Sequence, residues 1–164
     1  MNIYFAPMEG ITTCIYRNTH NEMFGGCDAY YAPFVTPCDN EKNSSKNVRD
    51  ILPEKNKVNL KVQVLTNQAE HLIKFTEKIK RLGYDEINLN MGCPASTVVK
   101  KGRGAGFLRE PELLDSFLDR VFSCCEMKFS VKTRIGFYSG DEMENLNRIY
   151  NKYPLTKLII HPRV

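Results

Sequence analysis

Short apolar runs with a two-residue period alternate along this chain with longer runs whose apolar residues recur at helical spacing, and that alternation limits the fold more than any other feature. Six runs read as strands: Ile3 to Ala6, stopped at Pro7; Tyr30 to Val35; Leu60 to Val64; the Ile87 to Asn90 region; Phe129 to Lys132; and Leu158 to Ile160, ending at His161. Helices are expected between them. The first is capped by Thr12 or Thr13, turns Ile15 and Met23 inward and ends at Gly25-Gly26. Asn67 is expected to cap the helix carrying Leu72, Phe75, Ile79 and Leu82, and Pro111 to open the one carrying Leu114, Phe117, Leu118 and Val121. A last helix spans Met143 to Tyr150, Val48 to Leu52 adds a helical turn, and Thr36 to Lys46 reads as a long polar loop.

Regular βα repetition implies parallel strands joined by right-handed crossovers, hence a (β/α)8 barrel or a doubly wound sheet. Polar residues at the carboxyl ends of nearly every strand decide between them: Met8-Glu9, Thr36, Gln63, Asn90, Lys132 and His161. Barrels build sites from many strand ends, whereas an open sheet concentrates its ligand at one switch point. The expected fold is an incomplete (β/α)8 TIM barrel of about six βα units, forming one domain over residues 1–164. A full barrel needs about 250 residues, so the closing units are expected to be missing, and with them the usual phosphate site.

Chemistry concentrates in Asp85 to Gly106, DEINLNMGCPASTVVKKGRGAG. Ile87 and Leu89 alternate with Asn88 and Asn90, giving a strand one apolar face and one carboxamide face, and buried amides demand partners, which suggests a polar ligand or cavity. Gly92 and Pro94 bracket Cys93 on a turn that could form the mouth of a pocket. Lys100, Lys101 and Arg103 then lie among Gly102, Gly104 and Gly106, glycines that permit close backbone approach, with an anion as the natural guest. The G-x-G-x-G spacing is not a dinucleotide fingerprint, and no Gly-Lys-Ser/Thr follows. Lys132 ends an otherwise apolar strand, where an ammonium needs an anion or polar acceptor.

NLNMGCPASTVVKKGRGAG closely resembles the signature of the tRNA-dihydrouridine synthases, flavoenzymes that reduce uridine in transfer RNA. YFAPMEGIT at Tyr4 to Thr12, Gln63 in VQVL, VKTRIG at Val131 to Gly136 and IIHPR at Ile159 to Arg163 extend the resemblance over the whole chain. It implies a TIM barrel with bound FMN, NADPH as reductant and tRNA as partner. By the same resemblance Cys93 is the acid that protonates uracil; Pro7, Met8, Glu9, Gln63, Lys132 and His161 hold the flavin; Asn90 meets the uracil; and Lys100, Lys101 and Arg103 meet RNA. Arg134 is a further candidate for RNA or phosphate contact. Ordinary thiols titrate near about 8.5, so a cysteine acid keeps its proton at neutral pH. The resemblance also places a helical tRNA-binding domain after the barrel, and nothing in these residues corresponds to it.

Two other readings compete. Another FMN barrel, of the dihydroorotate dehydrogenase type, would also set a lysine and a cysteine near flavin, though KKGRGAG argues against it. A noncatalytic RNA-binding remnant would keep the basic loop without the flavin. The net charge of +4 permits a nucleic-acid partner without requiring one. Six cysteines without a C-x-x-C pair suggest reduced thiols and no metal site. No apolar run reaches a membrane span, no signal peptide is legible and no protein partner is evident, so a cytoplasmic location is expected.

Overall fold

The computed structural model describes residues 1–37 and 45–164. Its six strands form a parallel sheet in strict chain order: β1 Tyr4–Phe5, β2 Ala29–Tyr31, β3 Leu60–Val64, β4 Glu86–Met91, β5 Lys128–Arg134 and β6 Lys157–His161. Because the order never reverses, every crossover advances the same way, and the sheet curls as part of a (β/α)8 TIM barrel instead of doubling back at a switch point. The helices are α1 Cys14–Met23, α2 Ser45–Asp50, α3 Ala69–Arg81, α4 Ser96–Val99, α5 Pro111–Cys124 and α6 Glu142–Tyr150.

Register sorts the strand residues onto two faces. Val62 pairs with Ile87, Val64 with Leu89, and Leu89 in turn with Val131, so these apolar residues share one face and pack with Leu72 and Ile79 of α3 and Leu114, Leu118 and Val121 of α5. Each such buried side chain contributes about 1.5–3 kcal/mol, and this layer holds the sheet to its helices. The opposite face, inside the curl, aligns Gln63 with Asn88, Asn88 with Ser130 and Asn90 with Lys132. All six residues of β4 are buried, the carboxamides included.

Four local expectations are corrected. Ile15 and Met23 point outward, 75% and 70% exposed, while Arg17 is fully buried. The helix is fixed by polar contacts instead of an apolar stripe: Arg17 donates to the Asp50 carboxylate at 2.9 Å and to Asn56 Oδ1 at 2.6 Å, and Asp50 also accepts the Cys14 N–H at 2.6 Å. Asp50 therefore does the capping expected of Thr13, while Thr12 Oγ1 accepts the Met8 N–H. Asn67 does not cap α3; its side chain donates to the Lys101 carbonyl at 3.0 Å. The second strand ends at Tyr31; Ala32 still donates to the Lys61 carbonyl at 3.0 Å, and past Pro33 the chain rejoins the sheet at the Val35–Val64 bridge.

The expected Thr36 to Lys46 loop falls largely on residues 38–44, outside the described residues, and α2 begins at Ser45. No helix among the described residues is long and apolar enough to cross a membrane.

Candidate active site at the carboxyl ends of the strands

All six strands deliver residues to one open pocket of about 240 Å³. Pro7, Met8 and Glu9 follow β1, Pro33 and Phe34 follow β2, and Gln63 and Asn90 come from β3 and β4. Gly92, Cys93 and Pro94 form the next loop, and Lys132, Arg134 and His161 end β5 and β6. Of the residues singled out in the sequence, Cys93, Asn90 and the six flavin candidates thus meet at one place, together with Arg134. Lys100, Lys101 and Arg103 do not; the lysines stand exposed just beyond α4, and Arg103 Nε reaches Asn67 Oδ1 at 3.4 Å.

The carboxamides that seemed to await a ligand satisfy one another. The Cys93 N–H donates to Asn90 Oδ1 at 2.9 Å, with the Gly92 N–H on the same oxygen at 3.1 Å. Asn90 Nδ2 donates to Gln63 Oε1 at 2.8 Å, Gln63 Nε2 to Asn88 Oδ1 at 2.7 Å, and Asn88 Nδ2 to Ser130 Oγ at 2.9 Å. Ser130 finally donates to Glu86 Oε1 at 2.7 Å. The two-residue period of β4 was readable; its partners were not, since they arrive on other strands through register. Gln63 is fully buried and spends one donor and one acceptor inside the protein, which leaves one of each for a ligand.

Across the pocket the polar groups are not balanced in this way. Lys132 has no carboxylate partner among the described residues; burial and then the Arg134 charge push its ammonium below the usual lysine range. His161 is likewise held down by burial, then by Lys132, Arg134 and Arg163. Glu9, on the opposite rim, is pushed up by burial and by Asp50. Arg134 lies within β5, not on a loop, and its Nε donates to the Gly92 carbonyl at 2.8 Å, bracing the turn before Cys93. Met8 offers a half-exposed side chain to the pocket, but its backbone N–H is already taken by Thr12.

The glycine cluster corrects a second expectation. The backbone does approach something closely, but the guest is the protein itself. Gly104 has φ +55°, and a Cβ there would stand 2.7 Å from the Cys93 carbonyl oxygen and 3.0 Å from Cys93 Cβ; one on Gly106 would stand 2.7 Å from the Val99 carbonyl oxygen. The Ala105 N–H donates to the Cys93 carbonyl at 3.0 Å, and residues 104–108 are buried.

Sequence reasoning missed Pro33 and Phe34 as pocket residues, although a proline at the end of a strand was a legible sign that the chain turns there. A family model described as dihydrouridine synthase (Dus) matches residues 4–164. Among curated proteins, a probable tRNA-dihydrouridine synthase of Staphylococcus aureus is 27% identical over 161 residues, covering 96% of this chain and 48% of that protein. A tRNA-dihydrouridine(16) synthase of Pseudomonas putida is 31% identical over 172 residues, covering 99% of this chain and 53% of that protein. The chain spans about half the length of the curated relatives it matches.

Proposed function

The chain belongs to the dihydrouridine synthase family, and we propose that it takes part in reducing the C5–C6 double bond of a uracil in tRNA, with FMN as cofactor, NADPH as external reductant and Cys93 as proton donor. The observation that carries this reading is the meeting of Cys93 and an uncompensated Lys132 in one pocket assembled from every strand. A half-buried cation with no carboxylate partner among the described residues suits an anionic planar ring, and the partly exposed Met8 and Phe34 offer such a ring apolar cover. FMN, when bound, would supply the hydride.

The protein's residues do the rest. Lys132 would stabilise negative charge on the ring, with Gln63, Pro7, Met8, Glu9 and His161 around it. Cys93 sits on a turn fixed by Asn90 and Arg134, from which its thiol would give a proton to the uracil carbon that does not receive the hydride. Hydride and proton together saturate the double bond and conserve charge. Asn90, 9% exposed at the pocket wall, would meet a uracil edge. A uridine within folded tRNA must leave its stack to reach such a pocket, and Lys100 and Lys101, exposed beyond it, would hold flanking phosphates in the splayed state.

The test is dihydrouridine formation in tRNA lacking the modification, with FMN and NADPH supplied. Cys93→Ala should lower the rate by about 10²-fold or more, the scale of lost acid catalysis, while flavin binding and NADPH oxidation persist. Undiminished product formation by that variant removes Cys93 from the chemistry.

A further inference from the structure

The hydrogen bonds from Cys93 to Glu86 form a chain with one direction. Backbone N–H groups can only donate, so at the pocket end Asn90 must present its oxygen to Gly92 and Cys93. An ionised carboxylate can only accept, so at the far end Ser130 must donate to Glu86 and its lone pair must receive Asn88. Between these ends lie three carboxamides, each with a donor and an acceptor side, and the two ends demand the same orientation of all three. Turning any one of them over sets donor against donor and acceptor against acceptor at its neighbours.

Glu86 opens β4 at the amino ends of the strands, opposite the pocket. It is 4% exposed, and Lys157 Nζ bridges both its oxygens at 2.9 and 2.8 Å while Lys61 Nζ lies 3.5 Å from Oε2. Two ammonium groups therefore keep an acceptor-only group at the foot of the chain.

We propose that Glu86 is a positioning residue for Cys93: acting through Ser130, Asn88, Gln63 and Asn90, it fixes the sense of the amide chain and so holds the Gly92–Cys93 turn, and the thiol on it, in the pocket. This rests on Cys93 being the acid, but only for its catalytic meaning. The effect on the turn is measured without flavin or tRNA.

Glu86→Gln conserves shape and removes the directional requirement. Lys157 bridges both positions and favours neither, but Lys61 lies on the Oε2 side alone and draws the new amide oxygen there, which turns the NH2 toward Ser130, takes away the acceptor of its hydroxyl and leaves the chain without a fixed direction at its foot. Amide hydrogen exchange at Gly92 and Cys93 should then accelerate about tenfold or more, the equivalent of roughly one hydrogen bond, while Ile79 in α3 and Val121 in α5 stay protected. Cys93 should also react with iodoacetamide at a changed rate.

The discriminating variant is Glu86→Gln with Lys61→Met. Removing the one ammonium that lies on the Oε2 side alone lets the amide oxygen return to Ser130 while Lys157 still reaches it, so protection at Gly92 and Cys93 should recover although another polar contact has been lost. A purely structural Glu86 predicts further loss in the double variant. Lys61→Met alone should leave the turn protected. Ser130→Ala, which cuts the chain above Glu86, should loosen the turn as Glu86→Gln does, and Ser130→Thr should restore it.

Unchanged exchange in Glu86→Gln overturns the proposal. So does a double variant no better protected than the single one, or equal loss at Ile79, Val121 and the turn. If Cys93→Ala proves fully active while these exchange results hold, the assignment of the acid fails and the positioning of the turn stands.

Discussion

The two sides of the pocket use polar groups in opposite ways. On the β3–β4 side every carboxamide is bound to another protein group, ending on Glu86 with its two lysines. On the β5–β6 side Lys132, Arg134 and His161 crowd together with no carboxylate among them. The first arrangement satisfies most of its polar groups without a ligand and gives rigidity. The second is strained while the site is empty and is relieved by an anion. A polar residue in an apolar strand thus says little about ligands until its partners are counted: Asn88 and Lys132 look equally out of place in their strands, and only Lys132 lacks a carboxylate or amide partner among the described residues.

The largest test of this contrast is to cut each side. Asn88→Leu leaves Gln63 Nε2 without its acceptor, while Ser130 loses one bond but keeps Glu86, and should cost about 1–3 kcal/mol in urea unfolding, the scale of one buried group left unpaired. Lys132→Met should leave unfolding stability unchanged or raise it. Equal destabilisation by both would erase the distinction.

Next in size is ligand affinity. Lys132→Met should weaken FMN binding by about 10- to 100-fold, the range of one charge-assisted contact, as read from quenching of flavin fluorescence. An unchanged dissociation constant would leave the cationic side without a guest.

A smaller effect belongs to the basic loop. Changing Lys100 and Lys101 to alanine should flatten the salt dependence of tRNA binding by about two in the log–log slope, one for each phosphate contact. Arg103→Ala should add little to the slope, because its guanidinium is half-buried against Asn67.

The subtlest difference is the sign of the pH dependence. Burial opposes ionisation of Glu86, but the Lys157 and Ser130 hydrogen bonds and the Lys157 and Lys61 charges outweigh it and hold the carboxyl below its usual 4.5, with Tyr31 from β2 facing it as well. Its contribution to stability is present above that value and is lost as pH falls through the lower folded value. Lys132 behaves the other way: folded, it binds protons less readily than unfolded, so the strain it imposes lessens as pH rises toward 10.5. Glu86→Gln should flatten the acid limb of stability against pH, and Lys132→Met the alkaline limb.

The alternation of strand and helix made the βα order legible, and the polar strand ends made the barrel legible, because both follow from side-chain period and chain direction. Pairings between distant segments were not legible. Arg17 sits where a charged residue defies the apolar pattern, and besides the nearby Thr12 carbonyl it is Asp50 and Asn56, 33 and 39 residues away, that explain it. The same holds for Gln63 and Asn88, which a two-residue period identifies as neighbours on a face but cannot pair. At the glycine cluster the sequence disclosed that something must come close without disclosing that it was Cys93 and Val99.

That seam sets how this stretch can change over time. Lys100 and Lys101 project from a backbone that fixes their place but not their identity, so their charge can be altered with little disturbance to the fold. Gly104 and Gly106 have no such latitude, since one added carbon on either must displace the Cys93 turn or α4. Within seven residues, then, the chain holds positions where substitution changes only surface charge and positions where it moves the turn that carries Cys93, and a sequence can drift through the first while remaining held at the second.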